Sequence, residues 1–100
     1  MFQNTKIFLI LFIISMFLGS NSHAQSTKLR DAFKNSKTSY QSGNLEKAIK
    51  YTNEAIALSE IDFGINHFYT ATLIANLGTL QYEKSLFKDS EVSFLKSLNI

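Results

Sequence analysis

The feature that most constrains this chain is a helical apolar pattern that recurs at an interval of 42 residues. The first unit begins with small and apolar residues spaced i, i+3, i+4, i+7 and i+11, as on one helix face: Leu29, Ala32, Phe33, Ser36 and Tyr40. A Gly-Asn pair at 43–44 ends this stripe, and a second stripe follows: Leu45, Ala48, Ile49, Thr52, Ala55 and Ile56. Because the connection is so short, the two helices are predicted to form an antiparallel hairpin.

A second hairpin is predicted in the last third of the chain. Its first helix is expected to run from Phe68 to Glu83, and its second from Phe87 to the end. One side of the first helix is predicted to carry Ala71, Ile74, Leu77, Gly78 and Tyr82. On the second helix, Phe87, Phe94 and Leu98 are expected to face inward.

The two hairpins align when one is shifted by 42 residues. Small residues then fall on small ones, as Ala48 on Ser90, and large apolar residues on large ones, as Ile56 on Leu98. Small side chains let two crossing helices approach closely, and large neighbours fill the adjacent holes. The residues predicted to carry this packing are Ala48, Ala55, Leu77, Gly78 and Tyr82. A repeated two-helix unit is typical of a helical solenoid.

At two stretches the sequence resembles the tetratricopeptide repeat family. Residues 43–51, GNLEKAIKY, are similar to that family's turn and second helix. Residues 64–78, GINHFYTATLIANLG, resemble a longer variant found in kinesin light chains and in bacterial arrays that accompany CHAT domains. The resemblance covers 29–100 and implies an all-α, right-handed α-α superhelix, with repeat 1 and its linker at 25–67 and repeat 2 at 68–100. The last helix ends without a cap, so the array is expected to be incomplete at Ile100 or to self-associate through 87–100.

The N-terminal segment has the composition of a secretory leader. One lysine precedes the apolar run Ile7–Leu18, and small or polar residues follow as far as Ala24. This pattern predicts a signal peptide at 1–24, cleaved after Ala24, and therefore a periplasmic or secreted protein. The alternatives are a retained membrane anchor, for which twelve residues are short, and a buried core helix.

Composition excludes several classes of function. The chain has no Cys, which excludes a disulfide scaffold, a thiolate nucleophile and Cys-ligated metals, and its net charge of +2 does not indicate a nucleic-acid partner. His67 is the only histidine after Ala24 and is expected to be a loop or helix-start residue. Neither a cofactor nor a metal is predicted, and the chain is not expected to be an enzyme.

The remaining function class is protein binding. In the resembled family the first helix of each repeat lines a concave groove that takes a peptide, which implies candidates at Thr72, Asn76, Thr79 and Glu83 in repeat 2. The corresponding candidates in repeat 1 are Arg30, Lys34, Lys37 and Gln41, although a merely solvated basic face is the plainer interpretation. Asn76 is the sharpest candidate, because an amide both donates to and accepts from a peptide backbone. Its alternative role is a hydrogen bond to a neighbouring helix or to the linker.

Two hypotheses therefore stand. In the first, the chain is an exported interaction module without chemistry of its own, with no nucleic-acid partner and no integral membrane segment after cleavage. In the second, the resemblance implies the N-terminal part of a larger effector, such as a CHAT protease-like protein or a histidine kinase or regulator. The sequence of the DNA beyond codon 100 distinguishes the two.

Overall fold

A computed structural model describes residues 26–100, which form four helices and contain no strand. These are α1 (Thr27–Gln41), α2 (Leu45–Phe63), α3 (Phe68–Glu83) and α4 (Phe87–Leu98). The predicted leader at 1–24 lies outside the described residues. None of the four described helices is long and apolar enough to cross a membrane. The all-α class is thus confirmed.

Side chains cap the N-termini of three of the four helices, namely Ser26 for α1, Asn44 for α2 and His67 for α3. Ser26 Oγ accepts a hydrogen bond from Leu29 N–H at 3.1 Å, and Asn44 Oδ1 accepts one from Lys47 N–H at 3.0 Å. Such N-caps satisfy backbone donors that a helix start leaves unpaired. The N-cap of α4 is Leu86, whose side chain forms no such bond, so α4 lacks this source of stability.

The turns within the two hairpins have the same backbone geometry. Gly43 and Ser85 both adopt left-handed conformations, with φ of +81° and +66°. In each turn the next residue donates its N–H to the carbonyl five residues earlier, at 2.9 Å in the first turn and 2.8 Å in the second. Glycine adopts this conformation without steric cost, whereas serine does not. The 42-residue shift therefore holds at the level of individual hydrogen bonds.

The helix crossings inside the two hairpins also correspond. In the first hairpin, Ser36 Oγ on α1 donates to the carbonyl of Ala48 on α2 at 3.1 Å. In the second, Ser90 Oγ on α4 donates to the carbonyl of Gly78 on α3 at 2.7 Å. Under the 42-residue shift, Ser36 corresponds to Gly78 and Ala48 to Ser90. The same two positions are therefore joined in both hairpins, but the serine is on the first helix in one and on the second helix in the other. The tight crossing predicted at Ala48 is confirmed by its complete burial.

The pairs of side chains one turn further along each crossing differ in size, and in each hairpin the two members of the pair fill a similar space. Thr52 of the first hairpin shares a hydrogen bond between hydroxyls with Ser36. The corresponding pair of the second hairpin is Phe94 and Gly78, and a Cβ added to Gly78 would lie 3.0 Å from the Phe94 ring. The phenyl ring thus occupies the space that two hydroxyl side chains fill in the first hairpin.

The hairpins join through α2 and α3. Ser59 and Thr70 share a hydroxyl hydrogen bond of 2.7 Å, and Thr70 also donates to the carbonyl of Gly64 at 2.9 Å. The rings of Phe63 and Tyr69 lie 5.2 Å apart, and burial raises the pKa of Tyr69 to about 12. The side chains that form the core extend across this junction: Leu29, Ala32, Phe33, Tyr40, Ala48, Ala55, Ile56, Tyr69, Leu73, Ile74 and Leu80.

The inward face predicted for α4 is wrong at two of its three residues. Phe87 is 58% exposed and Leu98 is 80% exposed, while Phe94 is held against Gly78. Ser90 and Ser93 face the interior instead. The prediction matched residues by size to α2, which is covered by α3 as well as by α1, whereas no described helix packs on the outer side of α4.

The packing residues predicted on α3 and α2 have mixed outcomes. Ala55 is fully buried, Gly78 is buried and Leu77 is half-buried. Tyr82 is half exposed, and its ring meets the edge of Phe87 at 5.3 Å between centroids. Tyr82 thus contacts the neighbouring helix, as predicted, but at the exposed start of α4 and not in the buried crossing.

Candidate binding surface on the third helix

Four polar side chains form a row along α3, which we call the polar stripe: Thr72, Asn76, Thr79 and Glu83. Their spacing of i, i+4, i+7 and i+11 places them on one helix face. As candidates that line an open groove, all four were expected to be exposed. The structure corrects this, because Thr72, Asn76 and Thr79 are buried and Glu83 is half-buried.

The two threonines of the stripe tolerate burial because each satisfies its own hydroxyl. Thr72 Oγ1 donates to the carbonyl of Phe68 at 3.0 Å, and Thr79 Oγ1 donates to the carbonyl of Ala75 at 3.2 Å. Both bonds run one turn back along α3, a common arrangement for buried threonine in helices. Their burial therefore leaves no hydroxyl proton unpaired. A sequence pattern that assigns polar residues to solvent takes no account of these hydrogen bonds within the helix.

Asn76 differs from the threonines beside it. Its side chain has 0% exposure, and neither Nδ2 nor Oδ1 has a hydrogen-bond partner among residues 26–100. Buried side-chain amides are nearly always hydrogen-bonded, because leaving the groups unpaired costs their desolvation free energy. The alternative role of a bond from Asn76 to a neighbouring described helix is thus wrong. Two donors and an acceptor are therefore buried and unpaired at the middle of the stripe.

At the C-terminal end of the stripe, Glu83 is tied to α1. Tyr40 Oη donates to Glu83 Oε1 at 3.3 Å, and Glu83 Oε2 is shielded with no partner in the described part of the chain. Burial raises the pKa of Glu83, and the hydrogen bond from Tyr40 opposes that rise. The acidic partner of Tyr40 could not be predicted from spacing, since the two residues are 43 positions apart.

The candidates on α1 occupy positions that correspond to the stripe under the 42-residue shift. Arg30, Lys34 and Gln41 are exposed and Lys37 is half-buried. The contact between Tyr40 and Glu83 sets the C-terminal turn of α1 beside that of α3. The two helices therefore differ in character, with cationic side chains on α1 and an amide and a carboxyl group on α3.

His67 has a structural role at the start of α3. Its Nδ1 accepts a hydrogen bond from Tyr69 N–H at 3.0 Å, and its ring stacks on Phe63 at 4.7 Å. The interpretation of His67 as a helix-start residue is confirmed. Within residues 26–100 no group of three or more His, Asp or Glu side chains is placed to hold a metal ion.

Comparison of the chain with family models, with curated proteins and with solved structures gives no match.

Proposed function

We propose that the two hairpins are tandem units of the tetratricopeptide type and that the chain is a module that binds an extended peptide segment. The hairpins share a turn with the same hydrogen bonds and a crossing with the same two bridging positions, 42 residues apart. Such units present their first helices on a common face, where extended segments dock. In this proposal the leader at 1–24 directs the module out of the cytoplasm.

The observation that carries the proposal is the unpaired amide of Asn76. A peptide main chain repeats one donor and one acceptor per residue, and a side-chain amide complements both. Because Asn76 is fully buried in the free fold, a peptide reaches its amide only when the side chains that cover it move aside. The amide would then bind main chain of any sequence, and the adjacent threonine hydroxyl oxygens keep lone pairs that can accept further hydrogen bonds. Binding would thus satisfy groups that residues 26–100 leave unpaired.

The charges on α1 indicate the chemical class of the ligand. Arg30 and Lys34 are exposed cations at the α1 positions that correspond to Thr72 and Asn76. A segment that crosses both helices would therefore carry acidic residues where it meets α1, and its binding would weaken as salt is raised. We propose an acidic extended segment as the ligand class.

Selection from a displayed library of random twelve-residue peptides tests this function. The full chain should enrich acidic sequences, and the Asn76→Leu chain should lose those clones because it has lost the amide. The matched control is Asn53→Leu, which changes an exposed asparagine on α2 and should retain them. The proposal is wrong if no sequences are enriched, or if Asn76→Leu retains the same clones with unchanged affinity.

A further inference from the structure

The predicted cleavage site lies directly before the folded part of the chain in sequence. The predicted scissile bond joins Ala24 to Gln25, and the next residue, Ser26, is the N-cap of α1. We call the stretch from Ala24 to Ser26 the leader junction. Proteases cleave backbone that is free to extend, so the hydrogen bonds of Ser26 bear on whether this bond can be cut.

All three polar groups of Ser26 are hydrogen-bonded. Its backbone N–H donates to Asp62 Oδ2 at 2.8 Å, its Oγ accepts from Leu29 N–H at 3.1 Å, and its carbonyl accepts from Arg30 N–H at 3.1 Å. Leu29, in the first turn of α1, has no exposed surface. Ser26 is therefore held in the fold through its backbone as well as through its side chain.

One of these bonds comes from outside α1, and Asp62 provides it. Asp62 lies in the last turn of α2, 36 residues from Ser26, so the bond forms only after the first hairpin has closed. The first turn of α1 has no acidic residue of its own. A carboxylate at the start of a helix interacts favourably with the helix dipole, and Asp62 supplies that charge from α2.

The residues beside Asp62 join the two hairpins. The ring of Phe63 lies 5.2 Å from that of Tyr69, and Ser59 shares a hydroxyl hydrogen bond with Thr70. The last turn of α2 is thus held in place by α3, which sets the carboxylate of Asp62 beside the start of α1. Asp62 is also half-buried, so water competes less for its oxygen atoms than it would at an exposed site.

We propose that Asp62 latches the leader junction, so that a signal peptidase removes residues 1–24 only before α1 has docked or while its first turn is open. In that cleavage, water adds across the Ala24–Gln25 bond and leaves a carboxylate on Ala24 and an amino group on Gln25. The bond enters such an enzyme in an extended stretch of chain, whereas Ser26 is held at a helix start. Removal of the leader therefore comes before folding. The polar stripe has no part in this order, which requires only the predicted leader.

Cleavage of the folded full chain by a bacterial signal peptidase in detergent micelles tests the latch, and mass spectrometry follows the loss of residues 1–24. Because the enzyme acts on the open form, the rate follows the fraction of molecules in which the first turn of α1 is open. Asp62→Ala removes a hydrogen bond to a charged group and should raise the rate at least about fivefold. The matched control is Glu54→Ala, which removes an exposed acidic residue of the same helix and should leave the rate unchanged.

A spacer variant tests the junction without touching the latch. An insertion of about five Gly and Ser residues between Gln25 and Ser26 moves the scissile bond away from α1, so this chain should be cleaved at least as fast as the Asp62→Ala chain. Circular dichroism verifies that the variants fold, and the spacer comparison still decides if Asp62→Ala does not. Equal rates for the unmodified and spacer chains overturn the proposal, and so does a folded Asp62→Ala chain that is cleaved no faster than the unmodified one. A spacer chain that is not cleaved after Ala24 shows that the predicted leader is wrong, and the proposal fails with it.

Discussion

Replacing Asn76 by leucine should make this protein more stable while it removes the groups proposed to bind the ligand. Leucine has nearly the same shape as asparagine and carries no polar atom. The side chain of Asn76 is fully buried, and neither of its polar atoms is paired within residues 26–100. Folding therefore removes the amide from water without replacing its hydrogen bonds. Leucine avoids that loss and adds apolar burial.

The size of this effect follows from the two unpaired groups. One unsatisfied buried group costs roughly 1–3 kcal/mol, but leucine is bulkier than the amide and some overpacking offsets the gain, so a net gain of about 1–2 kcal/mol is expected for Asn76→Leu. In a domain of this size, such a gain raises Tm by roughly 4–16 °C. Leucine also has a higher helix propensity than asparagine, by a few tenths of a kcal/mol.

Thermal and urea unfolding, followed by circular dichroism, measure the change in the free energy of unfolding. Asn53→Leu serves as the control, because it makes the same substitution at an exposed helical position and reports the propensity contribution alone. The difference between the two changes in the free energy of unfolding gives the contribution of the buried site alone. A lower Tm for Asn76→Leu than for the unmodified chain would refute the reasoning, because it would mean that the amide has partners on which the fold depends.

Three further predictions concern the crossings and the acidic end of the stripe. Ala48→Leu should lower the free energy of unfolding by about 1–3 kcal/mol by overpacking the first crossing, whereas Lys50→Leu, which changes an exposed residue, should leave it nearly unchanged in urea unfolding. Gly78→Ser should be destabilising alone because its Cβ meets the Phe94 ring, and a double-mutant cycle with Phe94→Thr should give a favourable coupling of at least about 0.5 kcal/mol; additive effects would contradict the close contact. The pKa of Glu83 is raised above its ordinary 4.5 in the folded state, so its contribution to stability is full below pH 4.5 and is lost as pH rises through the folded pKa. Melting of Glu83→Gln across this range should show a shallower fall in stability than the unmodified chain, and parallel curves would contradict the shift.

Local sequence rules predicted the bounds of the helices well, because the start and end of a helix depend on residues close by in the chain. The bounds of α3, from Phe68 to Glu83, agree with the apolar period, and Asn44 caps α2 as its residue type suggests. The repeat interval also predicted which small residues meet at the crossings. Each of these features is determined within one hairpin.

The predictions that were wrong depend on what lies beyond a hairpin. Leu98 was expected inside because Ile56 is its counterpart, but α2 packs closely against two described helices whereas α4 packs closely against one. Asn76 was expected to be exposed because the family resemblance placed it in an open groove, and its burial is a property of the assembled fold. The contact between Tyr40 and Glu83 likewise joins two hairpins. The type of a residue does not indicate which side chains of another hairpin will pack against it.

The bridging hydroxyl lies on opposite helices in the two crossings, which shows how units of one geometry can differ in sequence without losing a contact. Ser36 and Ser90 lie on opposite helices of their hairpins, yet each spans the same gap to the backbone of its partner helix. An ancestor with serine at both positions would have two possible donors, and either one could later mutate to alanine or glycine. Every step of that path keeps a hydroxyl at the crossing. The two units can therefore differ in sequence at their most constrained point while retaining one geometry.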